Sequence, residues 1–91
     1  MAISIYFSPK SMSGEQFDEV HRRLDAAGQA EPAGRTYHCG IQMGENVHVF
    51  DVWESQEDFE RFGKTLMPIL QELGIDPGEP HLAPVRFEAR A

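Results

Sequence analysis

Residues 46–73 read NVHVFDVWESQEDFERFGKTLMPILQEL, and the way this stretch changes its period decides the fold. From Val47 to Trp53 side chains alternate between two sets. Val47, Val49, Asp51 and Trp53 share one face, and His48, Phe50 and Val52 the other. A period of two is that of a strand, and apolar groups in both sets predict a central strand covered on both sides. Within two residues the period lengthens. Ser55 is a helix N-cap, Glu57 and Asp58 follow in the first turn where acidic groups suit the helix dipole, and Phe59, Phe62, Leu66, Ile69, Leu70 and Leu73 recur at helical spacing. Pro68 cannot donate a hydrogen bond to the preceding turn, so a kink or restart is expected there. Gly74 with Ile75 has the form of a Schellman-type end, and residues 76–80 (DPGEP) form a loop.

Upstream, Met43-Gly44-Glu45-Asn46 is a hairpin turn, with Gly44 as the residue that tolerates positive φ. Arg35 to Gln42 is the strand leading into it, with Tyr37, Cys39 and Ile41 on one face. Ala2 to Phe7 is another strand, placing Ile3, Ile5 and Phe7 opposite Ser4 and Tyr6. Between them Ser13 and Gln16 stand at capping-box spacing, and Phe17, Val20 and Leu24 form the apolar stripe of a first helix that stops at Gly28. Asp18–Arg22 and Glu19–Arg23 are expected as i,i+4 pairs on its outer face. Downstream, Leu82 to Arg90 reads as a last strand with Val85, Phe87 and Ala89 inward. The order is β-α-β-β-α-β, an α+β ferredoxin-like plait: a four-stranded antiparallel sheet with the first and third strands central and two helices on one face. Residues 1–91 leave room for a single domain.

One alternation set of every strand is apolar and the other is mixed rather than charged, so the face away from the helices needs cover. A second copy of the chain is the economical one, because a domain of 91 residues buries only about 60–65% of its surface. Net charge of −7 argues against a nucleic-acid backbone or an anionic membrane as partner. The single cysteine, Cys39, excludes a disulfide framework and a Cys-rich metal site, and the start of the chain lacks a signal peptide's pattern. A reducing cytoplasm is the expected location. Other uses of the plait lack their residues: there is no CxxC for metal transfer, no phosphate cradle in Ser8-Pro9-Lys10-Ser11, and no basic ground for RNA.

The passage Val52-Trp53-Glu54-Ser55, with Phe59 and Phe62 on the helix that follows, resembles the dimeric α/β-barrel superfamily, and within it the small antibiotic-biosynthesis-monooxygenase-like proteins. The resemblance implies a homodimer whose two sheets close a barrel, with a ligand pocket between each sheet and its helices. Haem-degrading relatives carry an Asn on the first strand, a Trp on the second helix and a His ten residues later. Here the first strand offers Ser4, Tyr6 and Ser8, while Phe62 and Glu72 stand at the other two positions, so no haem and no other cofactor is expected. Many monooxygenase-like members carry a His where Phe62 stands, and that match also fails.

His38 and Asp51 are the candidate catalytic residues. A two-residue hairpin loop at Gly44-Glu45 pairs Met43 with Asn46 and sets His38 opposite Asp51; a three-residue loop breaks the pairing. A His that donates to a carboxylate becomes a better-oriented base. Gly40 would leave room for a ligand and Trp53 would wall it. The structural alternative is a cross-strand polar pair that fixes register inside the dimer interface. Candidate ligand-binding residues are Tyr6 and Tyr37 as hydroxyl donors, with Trp53, Phe59 and Phe62 lining a helix–sheet cleft. His48 reads as a partly buried structural group, His21 as solvated beside Arg22, and His81 as a loop residue. No HxH or HxxxH spacing is present, and no metal is expected. Two functions stay open. One is a small homodimeric protein that binds an apolar or aromatic molecule in that cleft. The other is a cofactor-independent monooxygenase, isomerase or cyclase acting on an aromatic or polyketide-like substrate.

Overall fold

The computed structural model describes residues 1–89. Four strands, β1 (Ile3–Phe7), β2 (Arg35–Met43), β3 (Asn46–Trp53) and β4 (His81–Pro84), alternate with two helices, α1 (Gly14–Ala26) and α2 (Gln56–Glu72), in the order β1-α1-β2-β3-α2-β4. All neighbouring strands are antiparallel and the sheet order is β2-β3-β1-β4, a ferredoxin-like α+β arrangement with β1 and β3 at the centre.

Local chemistry accounts for each boundary. At the start of α1 the Ser13 hydroxyl accepts from the Gln16 amide at 3.1 Å, and the Gln16 side chain accepts from the Ser13 amide at 3.0 Å. Two donors that a helix start leaves orphaned are thereby satisfied together. At the start of α2 the Ser55 hydroxyl accepts from the Asp58 amide and donates to the Asp58 carboxylate, a cap without the reciprocal backbone bond. That helix runs unbroken for 17 residues through Pro68, so the expected restart does not occur. Ile75 then donates to the Leu70 carbonyl across Gly74, closing the helix end. On α1, Glu19 takes both arginines, Arg22 and Arg23, where an Asp18–Arg22 pair was expected.

Gly44 sits at φ 63°, the hairpin has its two-residue loop, and Met43 pairs with Asn46. That register carries along β2 and β3 to His38 opposite Asp51. The last strand is shorter than the sequence pattern predicts. It ends at Pro84, opposite Ile3, where its partner β1 begins. Beyond it Val85 still donates to the Ala2 carbonyl, and Phe87, expected inward, is 83% exposed. Arg90, the expected end of that strand, lies outside the described residues.

The core lies between the sheet and the helices. Ile5 and Trp53 are fully enclosed, and Met12, Val20, Leu24, Val47, Phe62, Leu70 and Ile75 pack around them. Asp51 is the one buried charged residue among those described.

Candidate functional site

Three elements converge on Asp51. It occupies the centre of β3, flanked across the ladders by His38 on β2 and Ile5 on β1, and all three point toward the helices. His38 Nδ1 lies 2.6 Å from Asp51 Oδ1, and the Trp53 indole N–H donates to Asp51 Oδ2 at 3.4 Å. Both carboxylate oxygens are thus engaged, which a buried charge requires. Helix α1 supplies the third member. His21 shares the stripe of Phe17, Val20 and Leu24, and its Nε2 reaches His38 Nε2 at 2.7 Å while its Nδ1 sits 2.9 Å from the Phe17 carbonyl.

These contacts count the protons. A carbonyl oxygen only accepts, so His21 Nδ1 carries a proton; a carboxylate only accepts, so His38 Nδ1 carries one as well. The two facing Nε2 atoms need a single proton between them. Three protons on four ring nitrogens make one imidazolium and one neutral imidazole, and Asp51 balances the charge. Burial, with the nearby positive charges of His38 and Arg35, pulls His21 below its ordinary value of 6.5 against the Phe17 carbonyl and Asp18. The geometry places the shared proton with His38, whose other nitrogen faces the Asp51 carboxylate, and leaves His21 as the neutral member. An acid and a base face each other across one hydrogen bond, the arrangement from which proton transfer is built.

The relay forms part of the wall of a cavity of about 60 Å³ between the sheet and both helices. Its polar lining is Arg35, His21, His38 and Asp51; apolar groups such as Phe17, Val49, Phe62, Leu66 and Leu70 form most of the remainder. The Phe17 ring lies against Gly40, where a Cβ atom would come within 2.5 Å of it. Gly40 thus makes room for Phe17 rather than for a ligand. Arg35 places its guanidinium 5.8 Å from the centre of the Phe62 ring, and burial pulls it below its ordinary value.

The candidate residues do not all meet here. His38, Asp51 and Phe62 line the cavity, whereas Trp53 and Phe59 pack in the core beside it, ring centroids 5.7 Å apart. Tyr6 and Tyr37 lie on the opposite sheet face. There Tyr6 Oη contacts His48 Nδ1 at 2.6 Å, and Tyr37 lies edge-on to Phe50. The His38–Asp51 pair faces the helices, so the expectation of a polar pair inside an interface on the open face is corrected. His21 is corrected too, since it is half-buried in the relay rather than solvated. Its signal was the spacing 17, 20, 21, 24, which puts it on the apolar stripe whatever its neighbour Arg22 does. Among the described residues no group of three or more His, Cys, Asp or Glu side chains is placed to hold a metal ion, and no helix is long and apolar enough to cross a membrane.

No family model matches the chain, and no curated protein matches it. Solved structures do. One described as a putative antibiotic biosynthesis monooxygenase from Chloroflexus aurantiacus is 16% identical, with a TM-score of 0.65 over 98% of each chain. A variant of SnoaB, a cofactor-independent oxygenase from Streptomyces nogalater, is 22% identical, with a TM-score of 0.62 over 96% of this chain and 93% of its own. Another putative antibiotic biosynthesis monooxygenase, from Caulobacter crescentus, is 16% identical, with a TM-score of 0.56 over 90% of this chain and 83% of its own. The fold of this chain is that of the antibiotic-biosynthesis-monooxygenase-like proteins.

Proposed function

We propose that this chain binds a small apolar or aromatic molecule in the cleft between sheet and helices and moves a proton on it, with His38 and His21 as the acid–base pair and Asp51 orienting His38. The observation that carries this reading is the run Asp51–His38–His21 in the wall of an otherwise apolar cavity. Titratable groups concentrated in such a pocket are a mark of function rather than of packing. The likeness in fold to a cofactor-independent oxygenase supports the same direction. The chemistry needs no cofactor: a substrate hydroxyl or enolisable position gives its proton to His21 Nε2, and the oxygen accepts from His38 Nε2–H.

Size limits what enters. A cavity of about 60 Å³ is less than half the ~150 Å³ that accommodates one benzene, so a head group fits and a whole ring requires Phe17 to swing off Gly40. A second reading, binding without turnover, draws support from the relay itself, because each of its four ring nitrogens already has a partner. In either reading the protein acts as a homodimer joined through the open sheet face.

Native mass spectrometry followed by a turnover assay separates the two readings. A co-purified small molecule should be identified by its extra mass, then incubated with the protein in D2O. Wild type should exchange or convert it, and His38→Gln should be slower by roughly 10²- to 10⁴-fold. A bound molecule that neither exchanges deuterium nor changes would leave the binding reading standing and end the catalytic one.

A further inference from the structure

The cavity differs in charge from the protein around it. The chain carries −7 overall, yet the cavity lining holds Arg35 in addition to a relay in which His38 and Asp51 cancel, one positive charge in excess. Arg35 is also under-used. Among the described residues its one side-chain hydrogen bond goes to the Ala30 carbonyl at 3.1 Å and it forms no direct ion pair, the carboxylates of Asp51 and Glu31 acting on its charge from further off. A guanidinium offers five N–H donors, so most of this one's are uncommitted, beside an aromatic ring and at the edge of a low-dielectric space.

The second observation is the proton shared by the two Nε2 atoms. Separating the rings from 2.7 Å to roughly 5 Å would admit one oxygen at hydrogen-bond length from each. His38 keeps its proton there. His21, freed from the contact, presents a bare nitrogen that can donate only after taking up a proton of its own. A ligand oxygen with negative charge favours that uptake against the opposing charge of Arg35, and Arg35 in turn attracts the anion itself. A neutral ligand gains neither.

Resting on the cleft reading above, we propose that the cavity is built for an organic oxyanion, the conjugate base of a carboxylic acid, enol or phenol. It is held between the Nε2–H groups of His21 and His38 with Arg35 as counter-charge, and each binding event protonates His21. The protons balance. An acid already ionised in water draws the proton from solvent, whereas a neutral enol or phenol supplies it from its own O–H bond and remains as the anion. The charged groups that face His21 are His38 and Arg35 from β2, Asp18 from its own helix, and Asp51 from β3 through His38.

Benzoate and its neutral isostere benzamide test this on the intact protein. Calorimetry at pH 7 in two buffers of different ionisation enthalpy reads the protons taken up. Benzoate should bind at least tenfold tighter than benzamide and take up about one proton per site. Arg35→Gln should weaken benzoate by roughly 10- to 100-fold with benzamide unchanged. His21→Gln should bind benzoate without proton uptake, a result that does not depend on the arginine variant folding. Equal binding of the two compounds, benzoate binding without proton uptake, or benzoate binding indifferent to both substitutions would overturn the oxyanion site and leave the apolar cleft intact. Failure of both compounds to bind at millimolar concentration would overturn the site and the cleft reading together.

Discussion

Burial of one histidine makes a statement about pH. His21 has its folded value lowered beneath 6.5 by desolvation and by the positive charges of His38 and Arg35, so the unfolded chain takes up a proton there before the folded chain does. The unfolded state then binds more protons, and stability falls as the pH is lowered. His21's contribution should be intact above pH 6.5, be lost progressively below it, and level off once the pH passes the lowered folded value. Urea unfolding between pH 7.5 and 4.5 measures this, with His21→Gln removing that part of the slope. An identical slope in wild type and variant would mean that His21 is not the buried neutral member of the pair. The residue was half visible in the sequence. His38 and Asp51 could be matched because a hairpin with two loop residues keeps its register from Met43 back to Tyr37, one side chain opposite the next, before the irregularity at Arg35–Tyr37. His21 could not be matched that way, since a helix approaches a sheet at an angle that no ladder of hydrogen bonds dictates. Only the 17-20-21-24 spacing gave its direction, and a neighbouring arginine outweighed it.

Elements are held by their ends. Helix α1 carries His21 and Phe17 to the cavity, and its first turn is pinned by the reciprocal Ser13–Gln16 bonds. Ser13→Ala should lower stability by about 1 kcal/mol, while Ser13→Gly should cost only a few tenths. In a domain of this size the alanine variant should melt roughly 4–8 °C lower. Equal melting of Ser13→Ala and wild type would show that the first turn is held by packing instead. Caps were legible because they are chemistry within four residues. Proline was legible only as a local rule, and neither proline by itself decides where its element ends. Pro68 lies in a helix whose Phe62, Leu66 and Leu70 are committed to the cavity and core, and packing retains the helix despite the lost bond. Pro84 lies in an edge strand opposite Ile3, where its one partner begins, so the ladder ends there with its partner and a single bond from Val85 to Ala2 follows.

At the scale of the molecule the sheet has one covered and one uncovered face. Tyr37, Cys39, Ile41, Phe50 and Val52 surround a broad groove on the uncovered side, together with the segment Pro84–Ala89. The groups there that are still partly exposed gain from leaving water, and the alternation of the strands already pointed to them. Sedimentation equilibrium should therefore return twice the chain mass at micromolar concentration, with Phe50→Lys shifting the chain toward a monomer. A stable monomer for wild type would remove the second copy from the account. What the alternation could not supply was the path after Pro84, where the chain crosses this face without a strand to fix it. The sheet order has one more consequence, for how the chain is made. The earliest of these four strands to leave the ribosome, β1, lies between β3 and β4, whose residues emerge some 45 and 80 positions later. It waits unpaired until they emerge, so the sheet closes through contacts remote in sequence, which slows folding relative to a helical bundle.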